Sequence, residues 1–406
     1  MPLIQPFRGL RPAPGLAGDV AAPPYDVLSS AEARARATGK PLNFLHISKA
    51  EIDLPVDTDP HSAAVYAKSA ENFRRLIADG ILIRDPVPCY YAYRLTMGEH
   101  VQTGIVAAAS VVDYDSNRIR KHEFTRPDKE DDRVRQIEAL SAQTGPVLLA
   151  CPDSVAVDDL IARATSRDPV ADVTADGVRH TVWVIDDAAT IAGLTSVFDT
   201  MPNLYIADGH HRSAAASRVA ARRRGLAASA DYFLVVIFPA HQMRILDYNR
   251  VVRDLNGLSA DAFLARVSER FAVTPASGRV HPDRPGVVGM YLAGHWYRLE
   301  IDPSLVPADD PVRRLDVSLL SDQLLAPVLG IGDLRRDKRI DFVGGIRGPA
   351  ELERRVDSGE MAVAFALHAT RMGELMAVAD SGQVMPPKST WFEPKLADGL
   401  VSHIID

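Results

Sequence analysis

The run Leu204-Tyr205-Ile206-Ala207 stops at Asp208-Gly209 and gives way to His210-His211-Arg212-Ser213 and a string of alanines, and no other stretch constrains the fold as tightly. Four apolar residues ending at a carboxylate and a glycine read as a short buried strand. Ser213 to Arg224 reads as a helix with Ala215, Ala216, Val219 and Ala220 on its apolar side, Arg222 to Arg224 in its last turn and Gly225 as its stop. The small alanines permit close packing on a sheet. A strand that turns almost at once into such a helix calls for layered α/β structure around it.

The same junction carries the densest chemistry. Gly209 permits a sharp turn or close approach of a ligand to the backbone. Free N–H groups and the positive end of the helix dipole make an anion pocket there, to which His210, His211 and Arg212 add donors. The arrangement suits a diphosphate or a phosphoryl group in transit. Asp208, at the strand end, could hold a metal ion or orient a hydroxyl. The plainer alternative is a capping aspartate beside polar surface histidines. Zinc is disfavoured: adjacent His210 and His211 project about 100° apart on a helix, and HExxH is missing.

Three further segments are chemically loaded. Lys121-His122-Glu123-Phe124-Thr125 precedes Asp131, Asp132 and Arg133, and Glu123 ahead of a helix could act as general base if folding brings it to the phosphate crevice. Its alternative is a solvated charged turn. Met385-Pro386-Pro387-Lys388-Ser389-Thr390 is stiff and carries one ammonium and two hydroxyls; it could close over an anion or simply enter a strand. His241 follows the strand Phe233 to Phe238 and shares a sheet edge with Asp208 only if the two strands are parallel.

Elsewhere the pattern predicts helices over Ser62–Asp79, Asp128–Ala142, Val317–Leu329 and Glu360–Ala366. Strands are predicted at Pro88–Leu95, Gly104–Tyr114, Pro146–Cys151 and Trp183–Ile185, and Thr274–Gly289, rich in Pro and Gly, reads as a loop or domain joint. The fold class is mixed α/β (α+β), with an N-terminal arm and α/β layer over 1–110, a core over 111–255 and a C-terminal α+β domain over 256–406.

Composition removes several classes of function. With 406 residues a core large enough to exclude water is available. A net charge of -7 argues against nucleic acid and anionic membrane surfaces as partners. No apolar run reaches the roughly 18 residues of a membrane span, and the expected location is the cytoplasm. Cys89 and Cys151 each lie in an apolar run, so neither a disulfide framework nor a cysteine zinc site is expected. GxxxxGK[ST], a complete GxGxxG and Gly-x-Ser-x-Gly are all missing. The oligomeric state is left open.

In four ordered blocks the chain resembles the domain of unknown function 1015 family: Ala22 to Val27 (APPYDV), His122 to Thr125 (HEFT), Asp208 to Arg212 (DGHHR) and Met385 to Thr390 (MPPKST), the last followed by Phe392 to Lys395 and Gly399-Leu400. More distantly, Ile119 to Phe238 is similar to the free-serine kinases built on the ParB/sulfiredoxin-like fold. The resemblance implies a ParB-like catalytic core and phosphoryl transfer from ATP or ADP, with Mg2+, to a small-molecule hydroxyl, foremost free L-serine. It assigns activation of the hydroxyl to Glu123, and the nucleotide phosphates and Mg2+ to the junction Asp208 through Arg212; the residues' own chemistry adds His211 to Glu123 and Asp208 as catalytic, and Ser213 and Lys388 to Gly209, His210, His211 and Arg212 as phosphate-binding, with Mg2+ on Asp208. His122, Thr125, Arg133 and His241 would face the substrate, although Ala240 and Gln242 flank His241 where the family usually has Thr and Arg. The alternatives are a phosphatase or nucleotide hydrolase that activates water at the same cradle, and a nucleotide-binding ParB-like regulator.

Overall fold

A computed structural model describes all residues from Met1 to Asp406, and the chain forms two compact units, Met1–Met243 with Pro394–Asp406, and Arg244–Glu393. The architecture is mixed α/β, with thirteen α-helices. No helix is long and apolar enough to cross a membrane.

The first unit is organised by a nine-stranded mixed sheet. Its path runs Ile119–Arg120, Leu204–Asp208, Val147–Cys151, Tyr232–Pro239, His100–Ser110, Tyr90–Met97, Val178–Ile185 and Ala171–Ala175, and Ile4–Gln5 adds on against the His100–Ser110 strand. The central strands are buried along both faces, as expected for β-branched and small apolar runs under helices. The N-terminal segment is packed down: Leu10–Pro12 pairs with Leu82–Arg84, and Ala22 bridges Asp398 in the C-terminal tail.

Two helices decide what lies near the Leu204–Asp208 strand. The His210–Arg223 helix turns Ala216 and Ala220 onto the sheet core, while Ala215 and Val219 pack against Val134 and Ile137 of the Pro127–Leu140 helix. Each of these larger aliphatic side chains contributes on the order of 1.5–3 kcal/mol when buried. Ion pairs from Arg218 to Glu130 and Asp131 run along the same seam. Because Glu123 lies four residues before Pro127, this packing carries it to the N-terminus of the alanine-rich helix.

The second unit is a six-stranded sheet in the order Phe271–Ala276, His295–Ile301, Val287–Leu292, Val363–Leu367, Tyr248–Val252, Ile340–Gly344. One expectation fails here and another holds in part. The expected loop Thr274–Gly289 is loop over residues 277–286 and strand at both ends; Phe271–Ala276 is an edge strand, where Pro275 costs no ladder hydrogen bond on its solvent side. The expected helix Glu360–Ala366 is the strand Val363–Leu367, paired on both sides and wholly buried. A short, uninterrupted apolar run has no period by which to separate the two states. In the first unit the strand expected to reach Tyr114 ends at Ser110, whose hydroxyl accepts the Asp113 N–H and starts a short helix. Cys89 and Cys151 are free and buried.

Candidate active site

Asp208 closes its strand, Gly209 takes the left-handed conformation with φ of 97°, and the helix begins at His210, three residues earlier than its sequence pattern predicts. The early start puts His210, His211 and Arg212 in the first turn, where backbone N–H groups have no intrahelical partner. A Cβ at position 209 would stand 3.0 Å from Arg212 Nε, so glycine is required twice over, by backbone and by space. Ser213 is spent on the helix itself: its N–H donates to Gly209 O and its hydroxyl to His210 O.

The carboxylate of Asp208 lies 3.3 Å from Arg212 Nη2 and 3.8 Å from Lys395 Nζ. Burial works against its ionisation, but Lys395 and Arg212 overcome it and hold the carboxyl at about 2. Arg212 is buried, donates to Pro146 O, and keeps its charge because Asp208 and Asp26 outweigh the desolvation. A carboxylate clasped by two cations next to open helix amides is a site with positive potential to spare for a phosphate. Lys395 carries no site role in the sequence reading; its signal was the Phe392-Glu393-Pro394-Lys395 block.

His122 and His210 meet edge to face, with ring centroids 4.5 Å apart, and the His122 N–H donates to His210 Nε2 at 3.4 Å. Glu123 Oε2 is 4.0 Å from His210 Nδ1, on a carboxylate that remains 45% exposed. Burial pulls His122 down to about 4, and burial together with the neighbouring His122 pulls His210 well below the usual range, so both rings are neutral at pH 7. An acceptor bond at Nε2 fixes the proton of neutral His210 on Nδ1, which faces Glu123.

The possible metal ligands divide accordingly. His122, Glu123 and His210 each offer an atom within 4.8 Å of the others, a set with two imidazoles and a carboxylate that suits a transition metal. The adjacent pair His210/His211 does not converge: His211 turns outward, and its Nε2 accepts the Arg126 N–H at 3.1 Å. Asp208, ionised and 36% exposed, offers the single carboxylate with which Mg2+ is commonly held when phosphate oxygens supply further ligands.

The remaining candidate residues fall in four places. Thr125 donates to Glu130 Oε1 at the start of the following helix. Arg133 lies against Tyr25, with its guanidinium 3.7 Å from the ring centroid, in a cavity that Arg212 also lines. His241 is at the opposite sheet edge from Asp208. The Leu204–Asp208 strand runs antiparallel to Val147–Cys151, whereas Tyr232–Pro239 runs parallel to it, which places Pro239 beside Cys151 and Asp208 beside Leu148. At about 3.3 Å per residue these ends are separated by roughly 10 Å. His241 instead bonds Asp153 Oδ1 through both its N–H and Nδ1 at 3.0 Å. Lys388 belongs to the second unit, in the left-handed region, with Nζ 5.7 Å from the Tyr248 ring centroid.

Residues 4–318 match the protein family described as "Protein of unknown function (DUF1015)". The chain belongs to this family. Among solved structures this DUF1015 protein is similar to a mutant free serine kinase in complex with AMP, at 12% identity and a TM-score of 0.37 over 73% of this chain and 92% of that one. A second mutant of free serine kinase, in complex with ADP, gives 13%, 0.35, 75% and 95% for the same quantities. SbnI with C-terminal truncation from Staphylococcus aureus gives 10%, 0.38, 72% and 85%. Likeness of this degree assigns neither ligand nor activity to the DUF1015 chain. No curated protein matches its sequence.

Proposed function

We propose that the Asp208–Arg212 corner binds the phosphates of a nucleotide, ATP or ADP, and that Glu123 is the base in transfer of a phosphoryl group to the hydroxyl of a small molecule, foremost free L-serine. One observation carries the reading: an accessible carboxylate, Glu123, stands 4.0 Å from the first residue of the helix whose open amides, with Arg212 and Lys395, form the anion cradle. A base and an electrostatic cradle on one corner are the two parts that phosphoryl transfer asks of a protein. The similarity of the HEFT and DGHHR blocks to the free-serine kinases supports the same assignment, along with a ParB-like core over 111–255.

In this mechanism Glu123 takes the hydroxyl proton as the acceptor oxygen bonds to phosphorus. The bond to the leaving phosphate breaks, and Arg212, Lys395 and the first-turn amides receive its charge. Neutral His210 holds Nδ1–H toward Glu123 and orients it without adding positive charge that would weaken the base. Mg2+, when bound with the nucleotide, would be held by Asp208 and would offset phosphate charge.

The test is phosphoserine formation by the purified protein with Mg2+, L-serine and either ATP or ADP. Glu123→Gln is expected to lower turnover by about 10²–10⁴-fold with the fold intact. Absence of phosphoserine with both donors, or full turnover in Glu123→Gln, overturns the reading. The His122–Glu123–His210 set favours a second one, in which these three side chains would hold a transition metal that would supply a water nucleophile. Chelator-sensitive release of free phosphate without an acceptor would select it.

A further inference from the structure

A small cavity lies beside the start of the His210–Arg223 helix, and its wall includes Tyr25, Ser48, Arg133, Gln136, Arg212 and Asp398. It is built from the N-terminal arm, the Pro127–Leu140 helix, the first turn of the alanine-rich helix and the C-terminal tail. Arg133 is held rigidly in this wall. Its Nε and Nη2 both donate to Asp132 Oδ2, at 2.9 and 2.6 Å, and Asp132 is itself fixed by Tyr66 Oη at 2.8 Å and His61 Nδ1 at 3.0 Å. With one face of the guanidinium on Tyr25, the Nη1 edge takes part in none of these bonds.

Two other polar groups in the wall have capacity left over. Ser48 Oγ is buried and has no hydrogen-bond partner. Asp398 is 2% exposed, and its backbone is clamped to Ala22 by N–H···O bonds in both directions, at 3.2 and 2.8 Å. Gly145 adjoins it: a Cβ there would stand 3.4 Å from both Asp398 Oδ1 and Arg212 Cδ. Buried polar groups are nearly always satisfied, so an orphaned hydroxyl, a spare guanidinium edge and an enclosed carboxyl in one cavity mark a place for a polar guest. Arg133 asks for an oxyanion and Asp398 for a cationic donor. An inorganic oxyanion alone would satisfy the first and leave the second, once ionised, without a cation.

We propose that this cavity takes the head group of a free α-amino acid, its carboxylate on Arg133 Nη1 and Ser48 Oγ and its ammonium on Asp398. The proposal deepens the phosphotransfer reading and rests on it for the fate of the side-chain hydroxyl, because Arg212 lines the cavity and also contacts Asp208. Binding of the head group itself needs no turnover.

The experiment is calorimetric titration of the full chain, with and without ADP, using L-serine, glycine, L-serinamide, N-acetyl-L-serine and inorganic phosphate. L-serine and glycine are expected to bind, while loss of either the carboxylate or the ammonium weakens binding at least tenfold. Arg133→Lys, which keeps the charge but not the fork, is expected to weaken L-serine at least tenfold, and Ser48→Ala severalfold, with circular dichroism confirming that both fold. Equal affinity for L-serine and L-serinamide, an unchanged Arg133→Lys, or phosphate binding as tightly as L-serine overturns the proposal. Absence of amino-acid binding in both nucleotide conditions overturns it too, even where phosphoserine forms, and the reading of the corner then stands alone. Binding of L-serine without any phosphoserine upholds the head-group site and overturns the phosphotransfer reading instead.

Discussion

Arg212 in the first unit and Arg250 in the second are both buried, yet they have opposite surroundings. Arg212 has Asp208 beside it and Asp398 and Asp26 near enough to favour its charge. Arg250 is fully buried and donates only to carbonyl oxygens, those of Tyr248, Pro387 and Lys388, with Phe342 across its face and its Nε unpartnered. Burial without a carboxylate pulls Arg250 down to about 9. The contrast separates two uses of a guanidinium. One is charge-compensated, lines a cavity, and keeps a full positive charge at the start of its helix; the other clips the Pro387-Lys388 segment to its sheet and holds Lys388 in its left-handed turn.

Removing each charge is the strongest way to break that comparison. Arg212→Met leaves Asp208 and Asp398 with less counter-charge and is expected to cost about 3–5 kcal/mol, together with the proposed activity. Arg250→Met frees three carbonyl groups but no carboxylate, and a cost of about 1–3 kcal/mol is expected. Hydrogen exchange read peptide by peptide keeps the two units apart; equal losses would show that the carboxylates around Arg212 make no difference.

A pH series sharpens it next. Burial raises Asp398 to about 7, against the opposing charge of Arg212, so between about pH 4 and 7 the folded chain keeps a proton that the unfolded chain has lost. Stability from this group is therefore complete below about 4 and is lost as pH rises through 7. Asp208, held at about 2, behaves oppositely: its contribution is present above about 4 and is lost as pH falls toward 2. Asp398→Asn should flatten the decline between pH 5 and 8 in denaturant titrations, and a slope equal to wild type would place the proton elsewhere.

The smallest effect concerns glycine. Gly209→Ala meets both a positive φ and the Arg212 side chain, whereas Gly348→Ala in the second unit meets a φ of 67° with nothing within 4 Å. Both should cost roughly 1 kcal/mol for the backbone. Only Gly209→Ala is expected to lose nucleotide-induced thermal stabilisation as well, and a shift equal to wild type in that variant would separate the corner from the ligand.

How much of this was legible in the sequence varies with the physics involved. The helices Ala63–Ala78 and Pro127–Leu140 lie within two residues of their expected bounds, because amphipathic periodicity and capping are local properties. The Leu204–Asp208 strand and the glycine turn after it were readable for the same reason. The Val363–Leu367 strand was not, since burial on both faces erases the period that would reveal it. Nor was the helix start at His210, because histidine pairs and arginine are weak helix signals until tertiary packing pins the first turn.

What the sequence determined by itself is the local chemistry: which residues turn, which stack along a helix face, and that a donor-rich strand-to-helix junction and a carboxylate ahead of a helix both exist. Only the tertiary structure decided that Glu123 meets His210, that Lys395 reaches Asp208, that Asp398 lines a cavity with Arg133, and that His241 leaves by the far edge of the sheet. Strand order and direction fix those encounters. They arise from burial shared among segments up to hundreds of residues apart, and local spacing carries no record of it.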